Sequence, residues 1–328
     1  MKPNEVTNLE LSTQNLMTAA LKRGIKVEVI DEESNTIRLT KGQVSEVVMQ
    51  ATRTSKDTYI APLIMTNKHL TKLFLTEAGI HAPKGYKVTS VEEGKNLYPQ
   101  LNAQAVVVKP LSTNFGVGIT MLTDQYNQDI YDQAIDLAFE KDSTVLVEDY
   151  VQGKEYRFLV IDDRVVGILH RVPANVQGDG EKTIEALVHL KNEDPLRGVG
   201  YKKPLEKIKL GQLEEQYLQE QELTFDSIPS MGETIYLRKN SNISTGGDSL
   251  DYTDLIHQGY HDIALKAAKA VGAVVCGVDM IIEDIDTFDH EKYSIIELNF
   301  NPAIHIHNAP YKGENRHADE AVLDLLGF

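Results

Sequence analysis

Apolar residues recur at helical spacing through LSTQNLMTAALKR, residues 11–23, and the run stops at Gly24, where IKVEVID takes up the alternation of a short strand. NTIRLTKG and VSEVVMQATR continue in that style, so residues 1–60 read as a small α/β lead-in ending near a loop rich in Thr, Ser and Lys. From Asn67, NKHLTKLFLTEAG sets Leu70, Leu73, Phe74 and Ala78 on one helical face, with Gly79 as its stop. After a Pro-Gly turn, VTSVEEGKNLYPQL predicts another helix, and AVVVKP predicts a buried strand that ends in Lys109. YDQAIDLAF predicts a third helix. STVLVEDYV is a strand, and QGKEYRFLVIDDRVVGILHRVPANV a hairpin turning at Asp162 and Asp163. Residues 176–230 change character: a Gly-rich turn, a short amphipathic helix and the polar LEEQYLQEQEL, whose residues 214–222 read as a solvated surface. This segment reads as an insertion carried by the sheet. TIYLRKNSNISTGGDSLDYTD returns as a strand and a turn of small polar residues, HDIALKAAKAVGA is a helix, and VVCGVDMIIED and SIIELNFNPA are strands around a charged turn.

A chain of 328 residues has room for two or three domains and a sizeable core. The formal net charge of -16 argues against a general nucleic-acid binder, so an anionic ligand needs a local positive pocket. Cys276, the single cysteine, lies inside an apolar strand and reads as a core residue, with no disulfide framework. The N-terminus is polar and no apolar run approaches about 18 residues, which predicts a soluble, cytoplasmic protein with no membrane partner. A homodimer is left open.

Candidate chemistry centres on SIIELNFNPA. Glu297 and Asn299, two apart on a strand, leave the same face of the sheet. One charged and one neutral oxygen ligand side by side suit magnesium, and Asp279, in an apolar strand where an unpaired carboxylate is costly, offers a third. The alternative is that Asp279 caps or pairs locally while Glu297 faces solvent. Lys109 stands at a strand end beside STNFGVG, whose Gly116 and Gly118 let backbone N–H groups approach phosphate. That loop has neither a Walker nor a Rossmann register, and alone it is better explained as a turn that binds nothing. Arg238 and Lys239 lead into a run where Asn240, Asn242, Thr245 and Gly246 present amides, a hydroxyl and an N–H group, favouring an anion site over a surface loop. His305 and His307 lack a partner at zinc-like spacing and read as loop histidines.

Taken together, KPLSTNFGVGI, EDYVQGKEYRFLV, HRVPANVQGDG, NEDPLRG, LRKNSNISTGGDS, CGVDMII and ELNFNP resemble the ATP-grasp ligases. More narrowly they are similar to the C-terminal part of the bifunctional glutamate-cysteine ligase/glutathione synthetases and, less closely, to the ligase half of cyanophycin synthetases. The resemblance implies an α+β ATP-grasp fold, two α+β subdomains closing on ATP: a lead-in over 1–60, a subdomain with Lys109 and the Gly-rich lid over 61–148, and one with the metal site and the insertion over 149–328. It implies that Lys68 and Lys109 contact the ATP phosphates beneath the Gly116/Gly118 loop. Glu148, Tyr150 and Val151 would line the adenine and Glu155 would hold the ribose. Asp279, Glu297 and Asn299 match ligands for two magnesium ions, for which Mn2+ could substitute, and Arg171 and Arg238 match basic residues near the transferred phosphate. In the family a large glutamate-cysteine ligase domain precedes this region; here a methionine stands almost where the synthetase part begins. The chain therefore reads as an excised domain or as a stand-alone relative, the latter with its substrate open, and a glutamate-cysteine ligase domain or protein is a candidate partner.

Such a site activates a carboxylate as an acyl-phosphate for attack by an amine. The leading expectation is glutathione synthesis from γ-glutamylcysteine, glycine and ATP, with Arg238 and N–H groups near Gly246 and Gly247 facing the tetrahedral intermediate. Other readings are an amino-acid ligase of cyanophycin-synthetase type, a kinase on the same fold, and an ATP-binding module without turnover.

Overall fold

The computed structural model describes residues 8–102, 104–113, 117–123 and 125–328. They form two discontinuous units, one of residues 1–57, 155–255 and 301–328, the other of residues 58–154 and 256–300. Residues 256–300 group with the lysine-bearing segment.

In the first unit the helix Leu11–Lys22 buries Leu16, Met17, Ala19 and Ala20. Arg23, just past its end, ties the C-terminal helix Ala318–Leu325 to it through Asp324 at 2.8 Å and through Glu320. Strands Lys26–Asp31, Thr36–Lys41 and Val44–Met49 make an antiparallel meander. The expected hairpin is present as Lys154–Ile161 and Arg164–Val172, and Asp162 takes φ +60 at its turn, a backbone that Asp tolerates better than most residues. Asp248–Asp251 pairs antiparallel to the second hairpin strand. The insertion is a body with its own core: Asn175–Gln177 pairs with Thr234–Tyr236, and Val176, Ile184, Val188, Ile208, Leu218 and Leu237 pack together beneath its helices Ile184–Lys191 and Gln212–Gln219.

In the second unit a four-stranded antiparallel sheet runs in the order Gly85–Val88, Val145–Asp149, Val106–Pro110, Thr120–Leu122. Its apolar face packs Val106, Val108, Val145 and Val147 against Tyr131, Ile135 and Ala138 of the helix Gln128–Phe139. The helices Ile60–Thr66, Lys68–Glu77 and Gln258–Ala270 belong to this unit, as does the antiparallel pair Val275–Ile282 and Tyr293–Asn299. Among the described residues no helix is long and apolar enough to cross a membrane.

Four local expectations change. VTSVEEGKNLYPQL is helical only over Val91–Lys95, followed by one turn at Tyr98–Gln100, while Gly85–Val88 is a strand. Gly94 weakens the helix but lets it pack closely on Ile135, where a Cβ would stand 3.0 Å from Cγ2. In Lys68–Glu77 the inward residues are Thr71 and Leu75, not the Leu70, Leu73, Phe74 and Ala78 face; Leu73 is 47% exposed. Lys68 and Lys72 share the Thr71/Leu75 face at i, i+3, i+4, i+7 spacing. The polar helix of the insertion is not wholly solvated, since Glu214 and Leu218 are buried. His305 and His307 stand on a single helical turn, His305–Asn308, rather than in a loop, and His307 is buried. Cys276 is buried, as expected.

Candidate active site

Asn67 caps the helix Lys68–Glu77, its side chain accepting from Leu70 N at 3.1 Å, and so fixes where the two lysines emerge. Lys68 Nζ donates to Thr113 O at 2.7 Å and stands 4.0 Å from Glu297 Oε1. Burial lowers its pKa, and the charge of Lys109 adds to that, against the pull of Glu297 and Glu148. One turn on, Lys72 pairs with Glu148. Lys109 reaches the same carboxylate at 2.8 Å, from a strand on which Val107 is directly opposite Glu148, so Lys109 is its diagonal neighbour on one face. Glu148 is 3% exposed. Burial pushes its carboxyl up, but the charges and hydrogen bonds of Lys109 and Lys72 outweigh this and hold it below the ordinary value. Burial in turn brings Lys72 down to about 8, with the like charge of Lys109 assisting and Glu148 opposing. Room for the cluster comes from Gly85, directly opposite Glu148 on the other neighbouring strand, where a Cβ would stand 2.8 Å from Glu148 Cα.

On the antiparallel pair of the same unit, Asp279 is directly opposite Glu297 and Gly277 opposite Asn299, with a bulge beyond Asp279. Asp279, Glu297 and Asn299 therefore share one face, and Gly277 puts no side chain against the amide. Asp279 is 1% exposed, and Asn299 Nδ2 donates to its Oδ2 at 3.2 Å. Two carboxylates directly across a ladder repel each other, an arrangement that a divalent cation converts into an attraction. The set is all oxygen donors and matches a hard cation such as magnesium. Gly118 takes φ +75 against Pro110, where a Cβ would stand 2.8 Å from Cγ. Gly116 lies outside the described residues. Tyr150 N donates to Ala105 O at 2.9 Å, continuing the sheet into the segment that ends at Val151.

The remaining expected residues belong to the first unit. Glu155 pairs with Arg171 and accepts from Ser241 Oγ at 2.7 Å. Arg238 Nε donates to the buried Glu214 at 2.6 Å. Thr245 Oγ1 donates to Asn240 Oδ1 at 3.0 Å, and Thr245 N to Asn242 O at 3.1 Å, closing the turn Ile243–Thr245 that Gly246 ends at φ +93. The expected residues thus form four local groups: lysines with Glu148, the three-oxygen face, Glu155 with Arg171, and Arg238 with the 240–247 turn. Lys72 and Glu214 are additions. A signal for Lys72 was present, a second lysine four residues after Lys68.

An ATP-grasp-like domain family matches residues 7–60, and a RimK-like ATP-grasp domain family matches residues 65–181. The chain has the ATP-grasp fold. It is 57% identical over 320 residues to the glutathione biosynthesis bifunctional protein of Clostridium perfringens, and that match takes in 97% of this chain and 41% of the relative. The corresponding protein of Desulfotalea psychrophila is 51% identical over 322 residues, 98% of this chain and 41% of the relative. A crystal structure of a bifunctional glutathione synthetase from Pasteurella multocida superposes with a TM-score of 0.78 at 44% identity, covering 98% of this chain and 44% of that one. This ATP-grasp chain thus spans about two-fifths of the length of its curated relatives.

Proposed function

We propose that the chain is an ATP-dependent carboxylate-amine ligase that joins γ-glutamylcysteine to glycine, forming glutathione, ADP and phosphate. The observation that carries this reading is the 57% identity along nearly the whole chain to a glutathione biosynthesis protein. The three-oxygen face and the lysine cluster supply matching chemistry.

Asp279, Glu297 and Asn299 would hold magnesium, which when bound neutralises charge on phosphate oxygens. Lys68 and Lys109 present ammonium groups to the phosphates, and Glu148 keeps Lys109 in place. Glu155 offers two carboxylate oxygens to ribose hydroxyls once Ser241 and Arg171 yield them. The carbonyl of Tyr150 and the N–H of Val151 serve the adenine edge. An oxygen of the substrate carboxylate attacks the γ-phosphorus and ADP leaves. The amine of glycine then attacks the acyl carbon, phosphate leaves with the former carboxylate oxygen, and the amine gives up its proton. Arg171 and Arg238 stabilise the charge on the transferred phosphoryl group, and Arg238 with the N–H groups of Gly246 and Gly247 the tetrahedral oxyanion. No protein nucleophile takes part.

The test is ADP and phosphate release with magnesium ATP, γ-glutamylcysteine and glycine, each omitted in turn, with the product identified by mass. Glutathione formed only when all three are present supports the reading. ADP release with a stable phosphorylated product and no free phosphate means a kinase. Turnover with other acid and amine pairs alone means a different ligase.

A further inference from the structure

The insertion between Gln177 and Thr234 has its own core, but two of its charged side chains are spent outside that core, on the two ends of the 240–247 turn. At the near end, Glu214 is 1% exposed although it is carried by a polar helix. Both of its oxygens are engaged: Oε2 accepts from Gly211 N at 3.1 Å, anchoring the carboxylate to its own helix start, and Oε1 accepts from Arg238 Nε at 2.6 Å. At the far end, Arg197 donates to Gly246 O at 3.0 Å and Glu206 O at 2.7 Å and pairs with the buried Asp248. Gly246 itself lies so close to the insertion that a Cβ would stand 2.7 Å from Ile208 Cα.

Burying an ion pair costs desolvation that its attraction barely repays, so stability alone is a poor reason to place Glu214 there. What the pair does supply is direction. A carboxylate held at Nε fixes the plane of the guanidinium and leaves its Nη edge to point elsewhere; among the described residues, no hydrogen bond or ion pair within the chain takes up that edge. We infer that the insertion is a brace for the 238–247 segment and that Glu214 is a positioning residue, aiming Arg238 at the charge that develops during phosphoryl transfer and amide formation. This rests on the ligase reading of Arg238.

The test is a double-mutant cycle of the wild type, Glu214→Ala, Arg238→Ala and the double variant, assayed for phosphate release at saturating ATP, γ-glutamylcysteine and glycine. Glu214→Ala is expected to lower kcat about thirtyfold, the worth of one charge-assisted hydrogen bond, with KM for ATP unchanged within about twofold. In the Arg238→Ala background the same change should alter kcat by less than about threefold, because the group it acts through is gone. Glu214→Gln, which keeps one acceptor but cannot serve Arg238 and Gly211 N together, should fall in between, and it carries the test if the alanine variant melts early. Equal losses in both backgrounds would overturn the brace while leaving the ligase reading intact. A near-normal kcat for Arg238→Ala would overturn both the brace and the role given to Arg238, whereas a wild type that releases no phosphate with all three substrates present would overturn the ligase reading.

Discussion

Glu148→Gln keeps the shape of the side chain and removes one charge from between two lysines. The cost can be worked from Lys72. Its native pKa of about 8, against an ordinary 10.5, shows that burial outweighs its pairing with Glu148. That gap corresponds to about 3 kcal/mol, and at pH 7 it counts against folding, since native and unfolded lysine are then both charged. Between about 8 and 10.5 the unfolded chain binds the proton and the native chain does not, so this group makes stability rise with pH there. Without Glu148, Lys72 faces Lys109 with only the weaker pull of Asp149 to offset it, and its native pKa must fall further.

Breaking a buried pair by removing one partner costs about 3–5 kcal/mol. For a unit of this size that lowers the melting temperature by about 10 °C at pH 7. The sign of the pH dependence is the sharper readout. In the variant the rise in stability with pH should begin below pH 8, because Lys72 sheds its proton on folding at neutral pH. Thermal unfolding in buffers from pH 6 to pH 10 measures both. A variant that melts within about 2 °C of the wild type and follows the same pH slope would refute the argument, since the two lysines would then not depend on Glu148.

Asp279→Asn and Glu297→Gln should each remove most turnover, about a hundredfold or more, and abolish stabilisation by magnesium, while the metal-free protein melts no lower than the wild type because a repulsion is relieved; near-normal rates at saturating magnesium would refute the metal assignment. Gly85→Ala should destabilise the protein by about 1–3 kcal/mol in urea titrations, since the new methyl meets Val147 O and Glu148 Cα, and an unchanged midpoint would show that the strands can spread. His307 is buried and neutral, its pKa brought down to about 3 by burial and by nearby cationic groups, so the unfolded chain gains a proton below about 6.5 that the native chain refuses. Stability should fall from pH 6.5 toward pH 3 by about 1.4 kcal/mol per pH unit from this group, and His307→Leu should flatten that slope in acid titrations of unfolding.

What the sequence made legible depended on the range of the information. Glu297 and Asn299 share a face because a strand has period two, which is a local rule, and the structure adds only that Asp279 is directly opposite. The Asp162 turn and the Gly79 stop are local in the same way. Lys72 was legible only as a second lysine one turn after Lys68, and the burial of Lys72 and Glu214 was not legible, because the groups that make it tolerable, Glu148 and Arg238, come from other elements whose register no periodicity reveals.

Both omissions share a cause. Scoring Leu70, Leu73 and Phe74 as the inward face of their helix assumes that lysine seeks water, and scoring residues 214–222 as solvated assumes the same of glutamate. Each assumption holds where a charge has no partner, since desolvation then decides. It fails where a fixed opposite charge waits inside, and a chain has reason to build such a place where charge must be held in one direction, as a site for phosphate requires. The helices whose polar side turns inward are therefore the ones whose charged residues merit substitution first. By that logic Lys72 and Glu214 rank with Lys109 and Arg238, which motif reading alone had singled out.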